Sequence, residues 1–146
     1  MEPETAVTTV GHAIQLSVAP VFLLSGIGAM LAVMTNRLAR VVDRARGVEA
    51  RLSGETPGDL ASSHGHLRTF SRRAKLINLA ITFCTITALL VCAVVATLFV
   101  GAFLQFDAAI PVAILFIGAM STFFVGLLFF LREIFIATAS LRIGPR

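Results

Sequence analysis

The sequence predicts an all-α integral membrane protein with three transmembrane helices and a cytoplasmic antiparallel helical hairpin between the first and second spans. Three stretches, residues 5–36, 76–106 and 108–131, contain no Asp, Glu, Lys or Arg. Each is longer than the ~20 residues that a helix needs to cross the hydrocarbon core. Only 14% of all residues are charged, whereas an average soluble domain has about 25%. We therefore interpret residues 1–146 as a single membrane domain.

The three spans are expected at about residues 11–36, 76–104 and 109–135. Only a few residues around Asp107 separate the second span from the third, which predicts a tight helical hairpin. Pro111 suits the first turn of the third helix, where its missing N–H would have no partner in any case.

All twelve Lys and Arg residues fall on one side of the membrane, nine of them within residues 37–75 and three after the third charge-free stretch, which ends at residue 131. The positive-inside rule assigns this side to the cytoplasm. We therefore expect a multi-pass protein of the cell inner membrane, with its amino terminus outside and with residues 37–75 and the carboxyl terminus inside. Because topology already accounts for the basic residues, anionic inner-leaflet lipid is their expected neighbour, and a nucleic-acid partner is not expected.

The basic segment at residues 37–75 has the pattern of two amphipathic helices joined by a turn at residues 53–59, where Asp59 is a candidate cap. Apolar residues recur at three- and four-residue spacing in its first half, at Leu38, Val41, Ala45, Val48 and Leu52. We expect an antiparallel hairpin whose first helix continues the first span into the cytoplasm. The alternative is that both helices lie flat on the membrane as basic amphipathic segments.

Small residues form ridges along the first and third spans. They are Ser25, Gly28, Ala29, Ala32 and Asn36 in the first span, and Gly118, Thr122 and Gly126 in the third. Ridges of this kind allow helix backbones to approach closely in lipid. Three helices enclose little, so we expect a homo-oligomer to use the ridges that one copy leaves unpacked.

Two polar features of the first span are candidates for a pore or gate. Pro20 leaves a backbone carbonyl near Leu16 without its usual partner, which predicts a kink in the helix. The kink is either purely structural or a bend that lines a pore, with Gln15 near its outer mouth.

Glu133 is the one acidic residue at the inner end of a span, and Arg37, Lys75 and Arg132 are expected near the same depth. One interpretation is an ion-paired belt at the membrane interface. The other is a ring of Glu133 side chains around an oligomer axis, where they would act on cations.

The first span reads AIQLSVAPVFLL over residues 13–24 and ends in TNR at residues 35–37. In these segments the chain resembles an uncharacterised bacterial family of small three-span membrane proteins, domain-of-unknown-function family 2721. The resemblance implies a Pro-bearing first span that ends in Asn-Arg, a charged helical middle and a terminal pair of spans. It implies no reaction, ligand or catalytic residue, and it directs attention to Pro20, Asn36 and Arg37.

Two functions fit these observations. An oligomeric channel for ions or small solutes is slightly favoured by the packing ridges, the polar face of the second span and the Pro-bearing first span. The alternative is a non-conducting membrane adaptor whose basic hairpin binds a cytoplasmic protein partner or anionic lipid. The sequence contains no Ser-His-Asp, metal-ligand or phosphate-loop pattern, so we expect neither an enzyme nor a cofactor or metal.

Overall fold

The computed structural model confirms an all-helical chain with three long helices. They are α1 (Pro3–Leu52), α2 (Leu60–Leu104) and α3 (Ala109–Ala139). The structure describes the backbone of residues 3–52, 60–104 and 107–139, and the side chains of residues 8–50, 71–104 and 107–138.

Each helix contains a segment that is long and apolar enough to cross a membrane, so the chain is a multi-pass membrane protein. These segments are Thr8–Ala50, Ser71–Leu104 and Ala109–Thr138. Every predicted span lies within one of them. The helices extend beyond the predicted spans because helical backbone hydrogen bonding continues wherever no residue breaks it, and apolar composition alone marks only the part suited to lipid.

The basic segment is helical at both of its ends. α1 runs without a break through Pro20 and on to Leu52, as predicted from the lack of a helix breaker after the first span. α2 begins at Leu60, well before its apolar run. The turn at residues 53–59, including Asp59, lies outside the described residues. The hairpin and the kink at Pro20 stay predictions.

The buried residues of α1 follow a repeat of seven residues. Ala13, Ser17, Pro20, Ile27, Met34 and Val41 are buried, at spacings of three, four or seven. In α2 the buried residues follow the same rule, at Ile77, Ala80, Cys84, Thr87, Val91 and Val94. This repeat is typical of helices that pack side by side over a long distance. It also identifies which face of each helix is buried.

The chain divides into two compact units, each built from parts of all three helices. One consists of Met1–Met30 and Phe83–Phe124, and the other of Leu31–Thr82 and Val125–Arg146. We call them the proline unit and the arginine unit, after Pro20 in the first and the basic residues of the second. The single membrane domain predicted from the sequence stays a prediction.

In the proline unit, a polar contact joins α2 to α3. The hydroxyl oxygens of Thr87 and Thr122 lie 3.0 Å apart. Each also lies within hydrogen-bonding distance of a carbonyl of its own helix, 2.9 Å from Phe83 O and 3.0 Å from Gly118 O respectively. Because each hydroxyl has one proton to donate, one threonine donates across the interface while the other donates to its own helix.

The start of α3 is capped by Asp107. Its Oδ1 accepts a hydrogen bond from the Ala109 N–H at 3.0 Å, which provides a partner for a donor that the helix itself cannot satisfy. Pro111 lies in the first turn of α3, as predicted, where its missing N–H has no cost.

Candidate functional site

The arginine unit contains a fully buried glutamate that is paired with arginines from two other helices. Glu133 of α3 has no exposed side-chain surface, and it lies 2.9 Å from Arg37 Nη2 of α1 and 2.9 Å from Arg73 Nη2 of α2. Arg73 donates to Glu133 Oε1 from Nη2 at 2.9 Å and from Nε at 3.3 Å. One carboxylate therefore binds to both other helices. We call Glu133, Arg37 and Arg73 the ion triad.

The two arginines hold the carboxylate in different ways. Glu133 Oε2 makes its close contact with Arg37 by charge, but among the described residues no well-aligned hydrogen bond reaches this oxygen. The guanidinium of Arg37 also lies over the ring of Phe130, with 5.3 Å between Cζ and the ring centroid, which is a cation–π arrangement. Arg73 thus supplies the aligned hydrogen bonds, and Arg37 supplies charge while Phe130 supports it.

Burial explains why two cations surround one anion. Moving a carboxylate out of water raises the free energy by roughly several kcal/mol unless opposite charges and hydrogen bonds replace its hydration. The side chain of Arg73 is 12% exposed and that of Arg37 is 32% exposed. Arg37 therefore keeps contact with the surroundings, whereas Arg73 is mostly enclosed with Glu133.

A cavity of about 360 Å³ opens beside the ion triad. The described residues that line it are four arginines and one apolar residue: Arg37, Arg40, Val41, Arg44 and Arg73. Three of these arginines lie on α1 at spacings of three and four residues, which places them along one side of the helix. The acidic residues of the same stretch, Asp43 and Glu49, do not line this cavity. We call it the arginine cavity.

The chemistry that these side chains offer is anion binding. A guanidinium has five N–H donors, no acceptor and a permanent positive charge, so it neither takes up nor releases a proton under physiological conditions. Among the described residues that line the cavity, none is a nucleophile or a proton-transfer group. Within the described residues, no group of three or more His, Cys, Asp or Glu could hold a metal ion.

The candidate pore residues are divided between the two units. Gln15 and Pro20 belong to the proline unit, while Asn36, Arg37 and Glu133 belong to the arginine unit. Gln15 and Asn36 are both exposed on α1, whereas Pro20 is buried. Pro20 borders a cavity of about 420 Å³ whose lining is apolar: Leu16, Pro20, Val94, Leu98, Ala108, Ala109, Val112 and Phe116.

The two predicted packing ridges lie in different surroundings. On α3, Gly126 is buried, Thr122 contacts Thr87, and a Cβ added at Gly118 would lie 3.9 Å from Leu90 Cδ1. On α1, the ridge is exposed along its length, at Ser25, Gly28, Ala29, Ala32 and Asn36. A Cβ added at Gly28 would meet no atom within 4 Å. The α3 ridge thus packs within the chain, and the α1 ridge is open.

Sequence reasoning did not identify Arg73 as a partner of Glu133. The sequence pointed to Arg37, Lys75 and Arg132. In the structure Arg37 is paired with Glu133, whereas Lys75 and Arg132 are exposed. The signal was present in the periodicity of α2, because Arg73 lies four residues before Ile77 and so continues the buried repeat. Arg40 and Arg44 likewise share one side of α1 with Arg37.

Comparison with known proteins identifies the family. A family model described as "Protein of unknown function (DUF2721)" matches residues 17–143, which include the ion triad and the arginine cavity. The chain belongs to this family. The resemblance inferred from the first span is thereby confirmed. No curated protein and no solved structure matches the chain.

Proposed function

We propose that this DUF2721 protein is a non-conducting, self-associating adaptor of the bacterial inner membrane, which presents the arginine cavity to an anionic partner on the cytoplasmic side. The observation that carries the proposal is the complete burial of Glu133 between Arg37 and Arg73. A carboxylate that selects cations in a pore must face water and keep its negative charge available. Glu133 has neither property in this arrangement, so the ring of glutamates loses its main support.

The lining of the cavity beside Pro20 also favours an adaptor. Its side chains are apolar, and they include Leu16, Leu98 and Phe116. Ions cross a membrane only where they keep their hydration water or where carbonyl groups or charges replace it. An apolar lining at the predicted bend is better suited to helix packing or to contact with lipid tails than to ion conduction.

The distribution of basic residues supports the proposed orientation, and a cavity lined by both α1 and α2 supports the proposed hairpin. The positive-inside rule would place the arginine cavity in the cytoplasm, near the headgroups of the inner leaflet. Residues of α1 and α2 line a further cavity together, including Val42 and Ala45 on α1 and Ser71 and Ala74 on α2. This proximity supports a hairpin in which the two basic helical stretches run side by side.

A channel remains the second candidate because of one specific observation. On the side of α1 opposite its buried repeat, a second series of residues with three- and four-residue spacing is exposed. These residues are Gly11, Gln15, Val18, Phe22, Ser25, Ala29, Ala32 and Asn36. In lipid the amides of Gln15 and Asn36 need partners that hydrocarbon does not offer. A second copy of α1 would supply them in an adaptor, and a water-filled axis would supply them in a channel.

Ion flux through purified protein separates the two functions. The protein is reconstituted into liposomes, the mass of its detergent-solubilised complex is measured, and flux is recorded over a range of voltage, pH and calcium. The adaptor function predicts a complex of at least two copies with no flux above that of empty liposomes. A flux that Gln15→Leu reduces severalfold, while the exposed-site variant Asp43→Asn does not, would establish the channel instead.

A further inference from the structure

We propose that the arginine cavity is a phosphate site, which binds the phosphate group of an anionic lipid or of a soluble phosphorylated compound. The proposal deepens the adaptor function and rests on it, because it names the chemistry of the anionic partner. It is argued from the charge, the unused donors and the position of the four arginines.

The charge of the site calls for an anion. Four guanidinium groups line the cavity, and Arg37 and Arg73 already share the carboxylate of Glu133. Arg40 and Arg44 bring two further positive charges to the same cavity, and none of the described residues that line it is a carboxylate. Like charges held together around a small volume repel one another, and this repulsion is relieved when an anion of more than one charge enters.

The ion triad leaves donors available for such a ligand. Within the described part of the chain, the contacts that hold Glu133 run through Nη2 and Nε of Arg73 and Nη2 of Arg37, and Nη1 of neither arginine is among them. Glu133 therefore acts as a positioning residue, because its hydrogen bonds fix the guanidinium plane of Arg73 and its charge holds Arg37 against Phe130. Donors that are already oriented lose less conformational entropy when a ligand arrives.

The number of arginines favours phosphate over carboxylate. One guanidinium matches a carboxylate with two parallel hydrogen bonds, so a carboxylate ligand would leave most of the four arginines unused. A phosphate group has more acceptor oxygens and carries up to two negative charges as a monoester, so it can bind several guanidinium groups at once. A volume of about 360 Å³ also leaves room for the part of the molecule attached to the phosphate.

The position of the cavity makes a lipid headgroup accessible. Arg37 directly follows the charge-free run that ends at Asn36, so the first arginine of the cavity stands where the apolar part of α1 gives way to the basic part. The phosphates of a bilayer lie at this boundary, and basic pockets between membrane helices are known sites for anionic headgroups. A soluble compound would reach the same arginines from the aqueous side, so the chemistry is shared and the source must be distinguished by experiment.

The test measures binding to the full-length protein in a mild detergent. The lipid probes are phosphatidylglycerol and phosphatidic acid, with phosphatidylcholine as the zwitterionic control, and the soluble probe is pyrophosphate at constant ionic strength. Bound lipid is counted by native mass spectrometry, and the shift in thermal unfolding temperature is followed with increasing concentration of each probe. The variants are Arg40→Gln and Arg44→Gln, which spare the ion triad.

Arg46→Gln is the matched control, because it removes the same charge from the same helix at an exposed residue that does not line the arginine cavity. Loss of one charge-assisted contact should weaken binding about tenfold in Arg40→Gln and Arg44→Gln, and no more than about twofold in Arg46→Gln, whose exposed charge is screened by salt.

Each outcome of this experiment decides the proposal. Binding of the anionic lipids alone, with the expected pattern among the variants, supports the site with a headgroup as its source. Binding of pyrophosphate, in competition with the lipids or without them, supports the site with a soluble source. Absence of saturable binding by the unmodified protein, or equal weakening in Arg40→Gln, Arg44→Gln and Arg46→Gln, overturns it. Ion flux, which tests the adaptor function, is a separate measurement, so failure of one proposal is distinguishable from failure of the other.

Discussion

Substitution of Glu133 by Gln tests whether the ion triad holds the arginine unit together. Gln has nearly the same shape as Glu, so the change removes the charge without opening a cavity. Breaking a buried pair by removal of one partner typically costs about 3–5 kcal/mol, because the remaining charge stays buried without compensation. Arg37 is 32% exposed and can recover more of its hydration than Arg73, which is 12% exposed. We therefore expect the free energy of unfolding to fall by about 3 kcal/mol, the lower end of that range.

The measurement is unfolding in mixed micelles with increasing SDS, followed by far-UV circular dichroism. Asp43→Asn is the control, because it removes the same charge from an exposed residue and should change the free energy by less than about 0.5 kcal/mol. A second variant separates charge from packing. Addition of Arg73→Met to Glu133→Gln removes the uncompensated cation and should restore more than half of the lost stability. A loss below about 1 kcal/mol in Glu133→Gln, or no recovery in the double variant, would refute the account of the ion triad.

Four other predictions concern packing, self-association and topology. The coupling between Thr87→Val and Thr122→Val in a double-mutant cycle should be about 0.6 kcal/mol, since the hydroxyls also have partners in their own helices, and a coupling above about 2 kcal/mol would contradict this. Gly126→Leu should lower the free energy of unfolding by about 1–3 kcal/mol through overpacking of a buried residue. By contrast, Gly28→Leu should leave the stability of the single chain unchanged and reduce the mass of the complex, because its surroundings are open; an unchanged mass would show that the complex does not assemble through this face. In a variant without other cysteines, Asp107→Cys should react with a membrane-impermeant maleimide added outside intact cells, and protection from the reagent would reverse the proposed orientation.

The helices and their approximate positions were predictable because lipid imposes a simple rule on composition. A charge-free run longer than ~20 residues is the pattern of a membrane-spanning helix, and a helix continues until a residue breaks it. The continuation of α1 beyond the first span followed from the lack of a breaker between Met34 and Arg46. The cap at Asp107 and the place of Pro111 are equally local, because they depend on residues within one turn of the end of a helix.

The partner of Glu133 was harder to predict because depth and direction are separate properties of a helical residue. Arg73 and Lys75 are two residues apart, so they lie about 3 Å apart along the helix axis but about 200° apart around it. Estimating depth therefore made Lys75 as good a candidate as Arg73. Only the buried repeat of α2, from Ile77 onward, shows that Arg73 points toward the other helices and that Lys75 points away.

The small-residue ridges show a second property that the sequence pattern does not predict, which is the helix that packs against each ridge. Gly118 and Gly126 on α3 have the same four-residue periodicity as Gly28 and Ala32 on α1, yet Gly126 is buried and Gly28 and Ala32 are exposed. A ridge specifies that a backbone can be approached closely, and it does not specify which helix makes the approach. The contact that occupies each ridge depends on the orientation of the whole helix, which is set by all of its apolar residues together.

The ion triad also bears on the order in which the chain matures. A membrane protein emerges from the ribosome from its amino terminus, so α1 and α2, with Arg37 and Arg73, are made before α3. Until Glu133 is synthesised, these two arginines have no carboxylate to meet, and a nascent chain that stops early carries two unbalanced cations at the edge of the bilayer. Because Glu133 must then match one residue on each of two helices, a slip of α3 by a single turn of about 5.4 Å would break both contacts at once. The contacts of Glu133 thus form only when both earlier helices are in place, and an early stop or a slip of α3 leaves Arg37 and Arg73 without them.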